Sequence, residues 1–382
     1  MNIEAILTIN VGSSSVKYSL YRLCVNTLEN PLIEITTGRM LFEAHLTDDT
    51  EKINHALITL LDRLSVEFCD VVIMGIVHRV VHGGSMYTKP VKINKQVIEA
   101  LQSLIPLAPM HIKPELCAIN MLFKTFPNTL QVACFDTSFH STQPELEKWF
   151  PLPAPLFNDG IHRYGFHGLS YEYISRLIPK VIPKEHRQKV LVAHLGSGAS
   201  LCALYKGKSI ASSMGFTALD GLMMGTRCGS IDPGVVLHLL QQKGMTADAV
   251  SSLLYKNSGL LGVSGESADI RDLVSSESPS AQRALDLFSY SVAKHAGSLI
   301  MIMSGIDAII FTGGVGENSA EIRKNVLQYF HWLNAIIDVS ANNTHSQVLH
   351  HPKSTIGIYK ISTNEEWMLA YHCFSFLKAD AF

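Results

Sequence analysis

The chain has 382 residues, 47% of them hydrophobic, and 31 Lys plus Arg set against 33 Asp plus Glu give a formal net charge of −2. That length exceeds what a single core usually serves, so two domains are expected. The near-neutral balance argues against a nucleic-acid partner, the lack of a charged leader against secretion, and the lack of an uncharged apolar run of about 18 residues against a membrane span.

In chain order, residues 6–21 read as strand, tight turn, strand, with Gly12 and three serines at the turn. Glycine there lets the backbone approach a ligand, and the amides can donate to phosphate oxygens. Asn10 ends the first strand, placed to orient water on a metal, and Lys17 offers a point charge in the second. Residues 22–46 read as further strands and turns, with Asn26, Asn30, Pro31 and Gly38 as breakers. Residues 48–64 carry the apolar spacing of an amphipathic helix with an acidic cap. Val71–Val77 reads as a buried strand of a covered sheet, and polar groups follow at once. Residues just past a strand's carboxyl end line the ligand crevice of an α/β sheet, which makes Arg79 either an anion clamp or half of a structural salt bridge. His78 and His82 lack metal-ligand spacing and read as scaffold. A helix over 92–104 precedes a loop broken by Pro109 and Pro114, and a further helix runs from about Glu115 to Phe123. The short strand 130–135 delivers Asp136, which can act on a proton or cation or cap a helix.

Residues 149–160 form a proline-punctuated loop, a lid or domain junction. His167 then stands just before the helix 169–178, a donor for a transferring phosphoryl group or a cap. The opening hairpin then recurs. His194 falls opposite Asn10, Gly196 opposite Gly12, Ser197 opposite Ser13, and Leu204-Tyr205 opposite Leu20-Tyr21. Such a repeat suggests two similar domains facing each other across a cleft. The glycine-rich stretch 214–234 holds Arg227, a fork for phosphate, and Asp232-Pro233 starts a helix through about Leu240. Asp269 and Arg271 read equally as nucleotide contacts or a helix-start ion pair. Residues 281–304 form the longest helix. The strand 306–312 enters a glycine turn, an anion site before the helix Ser319–Leu327 that matches no Walker A motif. A closing helix begins after residue 361. Seven cysteines with no Cys-x-x-Cys pair fit reduced thiols in the cytoplasm.

Ten short motifs, in this order, resemble the acetate kinase family of short-chain acyl kinases. They are Asn10-Val-Gly-Ser-Ser-Ser-Val-Lys17, His78-Arg-Val-Val-His-Gly-Gly84, Phe135-Asp-Thr-Ser-Phe-His140, Arg163-Tyr-Gly-Phe-His-Gly168, His194-Leu-Gly-Ser-Gly198, Met214-Gly-Phe-Thr217, Gly225-Thr-Arg227, Ser264-Gly-Glu-Ser-Ala-Asp-Ile-Arg271, Thr312-Gly-Gly-Val-Gly-Glu-Asn318 and Thr363-Asn-Glu-Glu366. The resemblance covers essentially the whole chain. It implies an α/β protein with two similar domains of the actin, Hsp70 and sugar-kinase type, with a ribonuclease H-like core. The expected division is 1–148 plus a returning helix at 368–382, against 149–367. It implies a cytoplasmic homodimer that transfers the ATP γ-phosphoryl reversibly to acetate, with propionate as the alternative, using Mg²⁺ or in its place Mn²⁺.

By resemblance the catalytic set is Asp136, His167 and Arg227. Substrate contacts fall on Arg79, Val81, Met110, Phe166 and Ala218. Nucleotide contacts fall on Lys17, on His194, Leu195, Gly196, Ser197 and Gly198, on Asp269, Ile270 and Arg271, and on Gly314, Val315, Gly316, Glu317 and Asn318. Metal contacts fall on Asn10 and Glu365. The chain departs from the family's usual pattern at Ser197 (asparagine), Met110 and Ile112 (leucine and asparagine), Ala218 (proline) and Ser230 (aspartate).

Overall fold

A computed structural model describes residues 3–12, 14–24 and 31–380. Ser13, Asn26 and Asn30, expected in turns, lie outside the described residues. The chain divides into two compact units. The first comprises the chain up to Phe139, Gly168–Ser170 and the chain from Asn364 onward. The second comprises His140–His167 and Tyr171–Thr363. The divisions thus fall somewhat before the expected 148/149 and 367/368.

In the first unit β1 (Ile3–Val11), β2 (Ser15–Leu23), β3 (Leu32–Leu41), β4 (Val71–Val80), β5 (Val91–Lys92) and β6 (Leu130–Phe135) make one sheet. Its order is β3-β2-β1-β4-β6-β5, with β1, β4 and β6 mutually parallel. One face is covered by the helices Asp49–Glu67 and Pro109–Thr125, whose Leu57, Leu60, Ala118 and Leu122 pack on Leu7, Ile9 and Leu20. Each such leucine or isoleucine contributes about 1.5–3 kcal/mol when fully buried, enough for the 3.6-residue apolar stripe to fix the helix face. Asp48 caps the first of these helices by accepting from the Glu51 amide at 2.9 Å. The helix Glu365–Asp380 packs against β1, β4 and β6 and buries Met368, Leu369 and Cys373. Gly75 permits that approach, since a Cβ there would sit 2.5 Å from Cys373 Sγ.

The second unit holds β7 (Lys189–Leu195), β8 (Ala199–Tyr205), β9 (Lys208–Ser212), β10 (Ala308–Thr312) and β11 (Gly357–Lys360), in the order β11-β10-β7-β8-β9. Read from the other edge, this is β9-β8-β7-β10-β11, the same succession as β3-β2-β1-β4-β6. The hairpin expected to recur does so. The strand ends Val11 and Ser15 correspond to Leu195 and Ala199, as the sequence alignment requires. The copies differ in pairing. Val11 faces Val16, whereas Leu195 faces Ala199, a register one residue tighter. The helix Pro279–Ile302 packs on β7, β8 and β9 and buries Leu285, Phe288, Val292 and Leu299.

Four expectations are corrected. Residues 109–114 are helical: Pro109 sits in the first turn, where no amide partner is lost, and Pro114, inside the helix, forgoes one bond that the packing of the helix face outweighs. The loop 149–160 contains the short helix Ala154–Asn158. Gly313–Asn318 is a helical turn of its own, ahead of the helix Ala320–Leu327 capped by Ser319. The run Val71–Val77 is buried only in its second half, where β6 pairs with β4 from Gly75 onward.

Candidate active site

Parallel registration of β1, β4 and β6 brings their carboxyl ends together, with Ile9 beside His78 and Arg79 beside Cys134. Asn10, Arg79 and Asp136 therefore converge. Arg79 forks onto Asp136, Nε donating to Oδ1 at 3.0 Å and Nη2 to Oδ2 at 2.6 Å. Its Nη1 donates to Asn10 Oδ1 at 3.2 Å, and Glu365 Oε2 lies 4.0 Å from Nε. Burial works against the Arg79 charge, but Asp136 and Glu365 outweigh it and hold the guanidinium protonated above its ordinary range. Burial also pushes the Glu365 carboxyl up; Arg79 and Lys17 oppose the rise, while Asp136 and Glu366 add to it. Lys17, exposed on β2, pairs in register with Asn10. His78 is scaffold, its Nε2 bonded to Gln131 at 2.9 Å inside the core.

Asn10 and Glu365 offer side-chain oxygens of the kind Mg²⁺ takes, and the burial that pushes the Glu365 carboxyl up would be offset by a nearby cation. Among the described residues no cluster of three or more His, Cys, Asp or Glu could hold a metal.

In the second unit, His167 precedes the helix Gly168–Val181 in a left-handed conformation (φ 56°) and makes no side-chain cap. Its Nδ1 instead meets Ser200 Oγ at 2.8 Å, and Ser200 Oγ in turn bonds Tyr171 OH. The His167 ring stacks on His194, with centroids 4.4 Å apart. Gly198 lets this ring in: a Cβ there would stand 3.1 Å from His167 Nε2 and 3.9 Å from Arg227 Nη1. Arg227 Nη1 donates to the Ala218 carbonyl at 2.7 Å. The turn of β7 and β8 is closed by Gly196 N–H to Gly198 O at 3.0 Å, with Ser197 exposed at its tip. Gly313 (φ 77°) must be glycine, because a Cβ would press on the Leu195 carbonyl at 2.7 Å.

Other expected residues separate by orientation. Glu317 turns back to accept from the amides of Gly313 at 3.0 Å and Thr363 at 3.3 Å. Gly314 and Asn318 are exposed, Val315 is half-buried, and Gly316, Leu195 and Ile270 are buried, leaving mainly backbone to offer. Asp269 caps the helix Ile270–Val274 and pairs with Arg271 at 2.6 Å, so the ion-pair alternative is realised. Among the substrate contacts, Val81 and Phe166 are buried, while Met110 is 57% exposed. Ser200, Tyr171 and the buried Glu115 were not expected at all. Only Ser200 left a signal, a polar residue aligned with Val16 of the first hairpin.

The strand succession repeated in both units is that of the duplicated α/β proteins typified by actin, Hsp70 and the sugar kinases. Within that class, residues 5–371 match the Acetokinase family, and the chain belongs to it. It is 41% identical to the acetate kinase of Methylocella silvestris, over 98% of each chain. It is 42% identical to that of Rhodopseudomonas palustris, over 97% of each. Among solved structures it is similar to a propionate kinase from Francisella tularensis, with TM-score 0.85 and 34% identity over 98% of this chain and 100% of that one. The Porphyromonas gingivalis acetate kinase follows with TM-score 0.81 and 31% identity, at the same coverage.

Proposed function

We propose that this protein is an acetate kinase, transferring the γ-phosphoryl of ATP reversibly to acetate to give acetyl phosphate and ADP. The observation that carries the reading is the Arg79 fork at the carboxyl ends of three parallel strands, in a chain of the Acetokinase family. A carboxylate nucleophile is already ionised, so the reaction needs little base catalysis. It needs charge neutralisation and alignment. Arg79 orients the substrate carboxylate, and Asp136 orients Arg79. His167, held through Nδ1 by Ser200, and Arg227 supply donors for the phosphoryl oxygens. A substrate oxygen bonds to phosphorus as the bond to the ADP oxygen breaks. Mg²⁺, when bound near Asn10 and Glu365, supplies charge for the phosphates. The glycine turns at Gly196–Gly198 and Gly314 offer the nucleotide backbone amides.

Propionate is the second reading, favoured by the likeness to the Francisella propionate kinase and by Ala218, which is smaller than the family's usual proline. One methylene is worth only about 0.8 kcal/mol, so a relaxed pocket still accepts acetate. The test is a panel of carboxylates with ATP and Mg²⁺, read as hydroxamate, for the wild type and Ala218→Pro. Acetate should react, with propionate close behind and falling back in Ala218→Pro. Turnover of a sugar and of no carboxylate would refute the reading.

We also infer a homodimer. In the second unit the helix Pro279–Ile302 exposes Tyr290 and Met301 (73%), and Tyr290 meets Tyr329, near the exposed Trp332 (71%). Large apolar side chains left in water along one helix face favour a symmetric contact. Sedimentation should report about twice the 42.1 kDa chain mass. Cytoplasmic operation suits the seven cysteines, none of them in a disulfide among the described residues. No helix among the described residues is long and apolar enough to cross a membrane.

A further inference from the structure

Glu115 sits in the helix Pro109–Thr125 with 2% of its surface exposed. Both of its carboxyl oxygens lie 3.2 Å from the Val81 amide, which donates between them. Val81 leaves β4 two residues after Arg79, so the link reaches the strand exit that carries the clamp. Among the described residues Glu115 has no salt bridge, and Arg79 gives its fork to Asp136. A buried carboxyl with one amide partner and no paired cation is costly unless it serves something or stays neutral.

We propose that Glu115 is a positioning residue of the carboxylate site: it fixes the Val81 exit from β4 and, in its neutral form, leaves the charge of Arg79 available to the substrate anion. The inference rests on the acyl-kinase reading above. Burial pushes the Glu115 carboxyl up to about 8, with Arg79 and the Val81 amide opposing the rise and Asp136 adding to it. Arg79 from β4 and Asp136 from beyond β6 are the charges that face it. His82, buried one residue past Val81, accepts from the Gly84 amide through Nδ1. The helices Asp49–Glu67 and Lys95–Ser103, which also pack on the Glu115 helix, add no charge that moves it. As pH rises through about 8, Glu115 becomes a further anion near Arg79 and opposes the incoming carboxylate. By reciprocity, a bound carboxylate favours protonated Glu115.

The test compares wild type, Glu115→Gln and Glu115→Leu as full-length enzymes over about pH 6.5–9.5. In wild type the acetate KM should climb by up to about tenfold for each unit by which bound acetate shifts Glu115, with nucleotide KM flat. Glu115→Gln keeps an acceptor for Val81 and should lose the climb. Glu115→Leu should raise acetate KM at every pH. An equal climb in wild type and Glu115→Gln overturns the proposal. The infrared difference spectrum of wild type minus Glu115→Gln is read alongside, without substrate. A neutral carboxylic-acid band at pH 7 supports the proposal, and its absence overturns it. If no carboxylate is turned over, the acyl-kinase reading fails, and the infrared result still decides the protonation of Glu115.

Discussion

Arg79 and Arg227 carry the same charge but are embedded differently, and their removal should read differently. Arg79→Ala strands the buried Asp136 without its partner, a situation that costs roughly 3–5 kcal/mol. It should therefore lower the melting temperature clearly and cut turnover by about 10²-fold or more. Arg227 donates to a neutral carbonyl, that of Ala218, and meets Met224 Sδ, so Arg227→Ala should keep the melting temperature near wild type while losing turnover to a similar degree. Near-normal turnover of folded Arg227→Ala would remove it from the phosphoryl site. His78 sets an acid limit. Burial lowers its pKa to about 4, while the Gln131 bond pulls it back up. The unfolded chain therefore takes up a proton first, and stability falls as pH drops from about 6.5 to about 4, by roughly 3 kcal/mol in full. His78→Gln keeps the bond to Gln131 and cannot titrate. The urea midpoints at pH 7 and pH 4.5 should lie closer together in the variant than in wild type, and an identical loss in both proteins would assign the acid sensitivity elsewhere.

At the scale of elements, the turns place the chemistry. Gly198 lies under His167 and Arg227 at once, so Gly198→Ala should push His167 aside by a few tenths of an ångström. Turnover should fall about tenfold or more with little change in stability. Unaltered turnover would mean that the ring is free to shift without consequence. The turns, the strand ends and the arginines were legible in the sequence, because each demands a residue type: glycine where backbones close, arginine and aspartate where a parallel sheet ends. Glu115 was not legible. An acid near a helix start reads as a partner for the helix dipole, and only the packing of that helix against the β4 exit buries it. Ser200 and Tyr171 reach His167 through tertiary proximity, which no local spacing encodes. The one-residue difference in hairpin register was equally hidden, since aligned apolar residues are compatible with either pairing.

At the scale of the molecule, the first unit is written in separated pieces. Its sheet is complete by Phe135, yet the helix that covers β1, β4 and β6 is Glu365–Asp380. The second unit is contained in the interval between. A chain ending before Asn364 should keep a protease-resistant second unit while the first is digested, and equal resistance of both would show that the helix is dispensable. Synthesis on the ribosome gives this arrangement a direction in time. The first sheet emerges early and waits, one face uncovered, until residues 365–380 have left the exit tunnel. The same late helix brings Glu365 to within 4.0 Å of Arg79. A product cut short by premature termination would thus lack both that carboxylate and the cover over apolar strands, and its first unit would go to the proteases.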